Sequence, residues 1–131
     1  MRFMLLQHYS VEGVEPMSVW SPQEIEAHIE FQHRMNAELT DRGELVDAQG
    51  LAGPELARIV TSDGVGAPVV TDGPFAEAKE FLAGYRLVDV ESPERAIEIA
   101  ATGSAAPGPG GAPIQQPIQV REVMGAPSPE A

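Results

Sequence analysis

Two helix starts written in nearly the same residues frame this chain. Ser21-Pro22-Gln23-Glu24 and Ser92-Pro93-Glu94 each place a hydroxyl before a proline and a carboxylate. An N-cap serine accepts from a backbone N–H of the first turn. Proline suits the first helical position because it has no N–H to leave unpaired. Glu24 stands three residues after Ser21, so its side chain can return to the Ser21 N–H and close a capping box. Trp20 and Ile25 occupy the staple positions around that cap. The pattern predicts a helix from Pro22 to about Arg42, stopped by Gly43. Ile25, Ile29, Met35 and Leu39 recur at helical spacing as its inner stripe. The second helix is predicted to run from Pro93 through Ala101 and to end at Gly103, with Ala96, Ile97 and Ala100 inward.

Apolar runs flank both helices. Residues 3–9 read as a buried first strand, apolar on both alternations. Residues 45–51 read as a second strand, short or bulged because of Gly50. Residues 57–61 and 68–71 read as a hairpin, and 85–90 and 118–124 as two further strands. Asp72-Gly73-Pro74 ends the hairpin, and 74–80 are predicted to form one or two helical turns. Residues 104–117, rich in Pro and Gly, read as a loop mobile at its centre. Without the hairpin and short helix, the order is strand–helix–strand twice. That order predicts a ferredoxin-like α+β domain with both helices on one sheet face. The 131 residues make one domain, 1–124, followed by a flexible tail, 125–131. Strands apolar on both sides need cover for the second face, and a second copy is the economical source, so a homodimer is expected.

Composition narrows the function. With no cysteine, disulfides, thiolate zinc sites and cysteine nucleophiles are excluded. A formal charge of −12, spread along the chain, repels phosphate backbones, so direct nucleic-acid binding is not expected. No apolar run approaches the ~20 residues a membrane span needs. The apolar start, Met1 to Leu6, is too short for a signal peptide, so a cytoplasmic location is expected. No HExxH or paired His/Asp spacing occurs, so no metal is expected. Gly108-Pro109-Gly110-Gly111 lacks the strand, helix and lysine of a phosphate loop, and there is no GxSxG elbow, so no cofactor is expected either.

The candidate chemistry is histidine and carboxylate chemistry, and each candidate also has a plain structural reading. His28, Gln32 and Asn36 fall within the apolar stripe of the first helix at four-residue spacing. Polar groups on an inward stripe need partners or a wet pocket. His28 is either a hydrogen-bonded core residue or an acid or base. Asp72 shapes its turn, or orients His28, or acts as base itself, and Asp47 is a rival partner for His28. Glu77, Lys79 and Glu80 are a solvated turn with ion pairing, or Lys79, the only lysine, binds an anionic ligand. Arg86 is a second candidate anion contact. His8 ends the first strand and could rim a pocket, while His33 projects off the stripe into solvent.

The stretch from Thr71 to Glu77, then Lys79-Glu80 and Gly84-Tyr85, resembles the signature of DGPF-type proteins in the YCII-related family. Asp72, Gly73, Pro74, Phe75, Glu77, Lys79 and Glu80 carry the motif. Ala78 stands where the family usually has Thr, and Ala83 where it usually has Gly. The first change removes a hydroxyl but leaves a mechanism resting on Asp72, Glu77 or Lys79 intact. The resemblance implies a ferredoxin-like fold and a dimer whose sheets face each other as an α+β barrel. It also implies a His–Asp pair, with the family histidine at His28 or Gln32. Some members are small lyases or dehalogenating enzymes. Others adjoin extracytoplasmic-function sigma factors, which implies a sigma factor as partner. Two functions follow. One is a binding or regulatory module for a small anionic ligand. The other is an acid–base lyase or isomerase acting on a small organic acid, with His28, Asp72 or Asp47, and Lys79 or Arg86.

Overall fold

A computed structural model describes residues 1–10, 17–75 and 80–126. Its main sheet contains β1 (Arg2–Ser10), β2 (Leu45–Gly50), β5 (Glu80–Asp89) and β6 (Ile118–Glu122). The strand order is β2-β5-β1-β6, with every neighbouring pair antiparallel. α1 (Pro22–Asp41) connects β1 to β2, and α2 (Pro93–Ser104) connects β5 to β6. The two strand–helix–strand units therefore interleave in an α+β fold. β3 (Arg58–Thr61) and β4 (Val69–Asp72) pair as a separate two-stranded sheet. No described helix is long and apolar enough to cross a membrane.

The core lies between one sheet face and the helices. Phe3 pairs with Val88 and Leu5 with Arg86, so these four share a face. Phe3, Leu5 and Val88 pack there against Met35 and Leu39 of α1 and Ala96, Ile99 and Ala100 of α2. Full burial of Leu5, Ile99 or Val88 contributes about 1.5–3 kcal/mol each. The opposite face carries Met4, Leu6, Tyr85 and Leu87, all half-buried.

The capping box forms as predicted. The Glu24 N–H donates to Ser21 Oγ at 3.1 Å, and the Ser21 N–H donates to Glu24 Oε1 at 2.8 Å. Gly43, at φ 73°, takes the left-handed conformation that ends a helix cheaply only in glycine. The inner stripe is turned from the expected one. His28, Met35 and Leu39 are buried, whereas Ile29 is 45 % exposed. The burial arc thus runs through the histidine instead of the isoleucine beside it.

α2 is rotated from expectation in the same way. Ala96, Ile99, Ala100 and Gly103 face inward at i, i+3, i+4 and i+7, while Ile97 is 58 % exposed. The helix also continues through Gly103. A Cβ there would stand 3.3 Å from Ile118 Cδ1 and 3.6 Å from Arg86 Nη1, so this glycine permits close packing instead of ending the helix. Arg95 of α2 grips Glu44, just before β2, with Nε 2.9 Å from Oε2 and Nη2 2.8 Å from Oε1. These bonds hold the Glu44 carboxyl below its usual range.

Two further expectations are corrected. The helical turns predicted over 74–80 are absent where described: Gly73, Pro74 and Phe75 are not helical, and β5 already begins at Glu80. The Gly73–Pro74 peptide is cis. Residues 76–79, with Glu77 and Lys79, lie outside the described residues, as does the tail from 127 onward. The β2 irregularity falls between Leu45 and Asp47 and not at Gly50.

The loop after α2 is closely tethered. Ala106 is fully buried and accepts from the Ile114 N–H at 2.8 Å, and Gly108 donates to the Ala112 carbonyl at 2.8 Å. Its glycines serve tight turning, since Gly110 and Gly111 sit at φ 69° and 78°. The Gly110 N–H then donates to Glu24 Oε2 at 2.6 Å, anchoring the loop to the start of α1.

The rotation of α2 can be tested with two isoleucines. In urea denaturation, Ile99→Ala is expected to cost about 2–5 kcal/mol, as for other buried large-to-small changes. Ile97→Ala should stay within about 0.5 kcal/mol of the parent, as at most surface positions.

Candidate functional site

The sheet below the first half of α1 is built from small residues. Gly50 pairs with Gly84, next to Ala48 and Ala83. A Cβ on Gly84 would lie 2.7 Å from the Gln49 carbonyl oxygen, so no side chain fits there. β1 also shifts register between Gln7 and His8. Where Phe3, Leu5 and Val88 fill the core further along, this end leaves a cavity of about 870 Å³. That volume is in the usual range for a small-molecule site. α1 lines it with His28, Ile29, Gln32, His33 and Asn36, and β5 with Ala83, Tyr85 and Arg86. Gln7 and Tyr9 come from β1, Met17 and Trp20 precede α1, Glu55 follows β2, and Ile114 and Gln116 come from the 105–117 loop.

Arg86 dominates the electrostatics. It is only 3 % exposed. Its Nε donates to Asn36 Oδ1 at 2.7 Å and its Nη2 donates to Gln32 Oε1. Both partners are neutral amides. Arg2, Arg34, Arg42, Arg58 and Arg95 each meet a carboxylate, but Arg86 meets none among the described residues. Burial lowers its pKa, yet guanidinium stays protonated in proteins. The C-terminal turn of α2, near Nη1 at Gly103, brings the negative end of a helix dipole close. Amide oxygens and a dipole ease the desolvation of the cation, but its unit charge stays uncancelled.

Gln32 carries the network onward. Its Nε2 lies 3.3 Å from His28 Nε2, and His28 Nδ1 lies 3.0 Å from the Pro107 carbonyl oxygen. A carbonyl can only accept, so Nδ1 carries the hydrogen and donates to it. His28 Nε2 is then the acceptor, receiving from the Gln32 amide. The amide is oriented at both ends: its oxygen serves Arg86 and its NH₂ serves His28. Trp20 stands edge-on to the His28 ring, with centroids 5.5 Å apart and planes at 80°. Among the described residues, no group of His, Asp and Glu converges as a metal site.

The structure therefore brings His28, Gln32 and Arg86 together and adds Asn36. It places the other candidates elsewhere. Asp47 accepts from the Tyr85 hydroxyl at 2.8 Å, which holds its carboxyl below the usual range. The Asp72 side chain is 87 % exposed and pairs with Arg58 at 3.5 Å on the hairpin. Neither carboxylate is among the hydrogen-bond partners of His28. His8 Nδ1 donates to the Leu6 carbonyl at 3.0 Å, and His8 is not part of the cavity wall. Gly73 donates to the Ala57 carbonyl at 2.8 Å, which closes the hairpin, and Phe75 is 65 % exposed. Glu80 opens β5 on the surface, while Glu77 and Lys79 fall outside the described residues.

Asn36, Trp20 and Pro107 are the site residues that sequence reasoning did not assign to a site. Asn36 was within reach, since it follows His28 and Gln32 at the same spacing. A backbone carbonyl such as Pro107's has no signature in side-chain identity.

Removing one acceptor from a buried cation should cost more than removing the cation. Asn36→Ala is expected to destabilise by about 1.5–3 kcal/mol, the range for hydrogen bonds to charged groups. Arg86→Met keeps the apolar stem without the desolvated charge and should cost less. Urea denaturation of both variants measures the difference.

Comparison with known proteins agrees with this architecture's origin. The description of a YCII-related domain fits residues 1–108. An uncharacterized protein of Rhizobium meliloti (strain 1021) is 33 % identical over 92 residues, covering 70 % of this chain and 72 % of the relative. A match over residues 1–108 covers most of the chain: it belongs to the YCII-related family.

Proposed function

We propose that the protein is a cytosolic binding module whose cavity takes a small organic anion, and that it works as a homodimer. The observation that carries this reading is Arg86, a buried cation on the cavity wall whose side-chain partners among the described residues are neutral amides. A ligand carboxylate would supply the missing charge in a low-dielectric setting, where such a bond is strongest. The rest of the wall is largely apolar, with Met17, Trp20, Ile29 and Ile114, which suits an organic body. A regulatory link to sigma factors rests on the family resemblance alone.

The strand order β2-β5-β1-β6 with two interleaved crossover helices supports a ferredoxin-like assignment. The half-buried Met4, Leu6 and Leu87 on the other sheet face support a second copy packing there, sheet against sheet, as an α+β barrel. A second reading, an acid–base lyase or isomerase on a small organic acid, is favoured by the tautomer of His28. Nε2 is the acceptor on the cavity side, the form in which imidazole takes a proton. In that reading the Pro107 carbonyl orients the ring, the role expected of Asp72 or Asp47.

Two measurements test the proposal. Calorimetric titration with benzoate and phenylacetate should show binding to the parent protein and none to Arg86→Met. At a hundredfold excess over Kd, the bound acid should also raise unfolding stability by about 2.7 kcal/mol. If neither acid binds at millimolar concentration, or Arg86→Met binds equally well, the anion reading fails. Sedimentation should find a dimer, and a monomer at micromolar concentration would remove the sheet-to-sheet interface.

A further inference from the structure

We infer that Arg86 and His28 together recognise an acid carrying a hydroxyl on the carbon next to its carboxylate carbon, and that Gln32 occupies its place when the cavity is empty. The inference rests on the anion reading above and narrows it to a ligand class.

The starting point is the double role of one side chain. The Gln32 carbonyl oxygen accepts from Arg86 Nη2, and its NH₂ donates to His28 Nε2. The two wall residues thus present a fixed pair of needs, an acceptor for the guanidinium and a donor for the imidazole. A single carboxamide, with both atoms on one carbon, satisfies them. A 2-hydroxy acid offers the same pair one bond further apart: a carboxylate oxygen for Arg86 and a hydroxyl hydrogen for His28. A plain carboxylate meets the first need only. It leaves Nε2 without a donor once Gln32 is displaced, and an unpartnered buried acceptor is costly.

The tautomer makes the preference directional. Nδ1–H is committed to the Pro107 carbonyl, so His28 presents only an acceptor to the cavity. It can receive a hydroxyl or N–H but offers nothing to a second carboxylate oxygen. Gln32 can give way because its side chain is only half-buried and lies on the cavity wall. The ligand replaces a neutral carbonyl on Arg86 with an anionic oxygen, a bond about twice as strong. Trp20 and Ile114 lie on the same wall, so an aryl substituent on the acid has an apolar surface to meet.

Matched pairs of acids test this on the intact chain at one pH and ionic strength. Mandelate is compared with phenylacetate, and 3-phenyllactate with 3-phenylpropionate, by calorimetric titration. One extra hydrogen bond to a neutral imidazole should tighten the hydroxylated member by roughly three- to tenfold. His28→Phe should erase that difference while still binding phenylacetate. Gln32→Ala should retain it and bind both acids more tightly. A readout on the parent protein does not depend on variant folding: the His28 Nε2 nitrogen resonance should move on adding mandelate and stay in place with phenylacetate.

Equal affinities within each pair, with all four acids bound, would overturn the hydroxy-acid inference and leave the anion reading intact. Loss of the preference in Gln32→Ala would also overturn it, since Gln32 would then be the reader of the hydroxyl. If no acid binds, the underlying anion reading is itself removed.

Discussion

A guanidinium withdrawn from water, with no carboxylate to meet it among the described residues, organises this molecule. Arg86 shares the helix-facing side of β5 with Val88, at the junction of α1 and the last turn of α2. Desolvating such a charge costs several kcal/mol. The surroundings answer with oriented dipoles: the Asn36 and Gln32 carbonyls and the end of α2. That choice explains otherwise separate features. The inward arc of α1 is polar at two successive turns, at Gln32 and Asn36, and the last turn of α2 lies against Nη1 at Gly103. It also leaves a buried positive centre inside a chain of net charge −12.

The same helix performs two tasks along its length. Its second half, at Met35 and Leu39, closes an apolar core with Phe3, Val88 and Ile99. Its first half spans a floor of Gly50, Gly84 and alanines, and the volume those side chains lack becomes the cavity. Core and cavity are therefore divided by position along one element, with Asn36 at the boundary between them.

The fold was legible in the sequence wherever the signal is local. Ser21, Glu24 and Gly43 mark the ends of α1 by side-chain chemistry that acts within a few residues. The facing of the helices was less legible. Apolar residues surround α2, so Ile97 and Ile99 compete for the inward side, and only tertiary packing decides between them. In the site, the polar stripe of His28, Gln32 and Asn36 was visible, and Arg86 was already a candidate for anion contact. The rest of the site was not visible. The His28 contact to the Pro107 carbonyl joins residues 79 apart in the chain, and no spacing rule reaches that far. Asp72 was conspicuous because the motif around it is dense in functional groups. Its pairing with Arg58 and the Gly73–Ala57 bond show that this stretch closes a hairpin.

Glu24 joins two parts of the molecule that are far apart in sequence. One carboxylate oxygen receives the Ser21 N–H and the other receives the Gly110 N–H. These bonds keep its carboxyl below the usual range, so it stays an acceptor at neutral pH. The fraying of the first turn of α1 and the lifting of the 105–117 loop therefore share a contact. Local opening at either place removes a bond from the other, so the two are expected to open together in amide exchange. Because Ile114 and Gln116 of that loop line the cavity, opening at the start of α1 also bears on how often the cavity is breached.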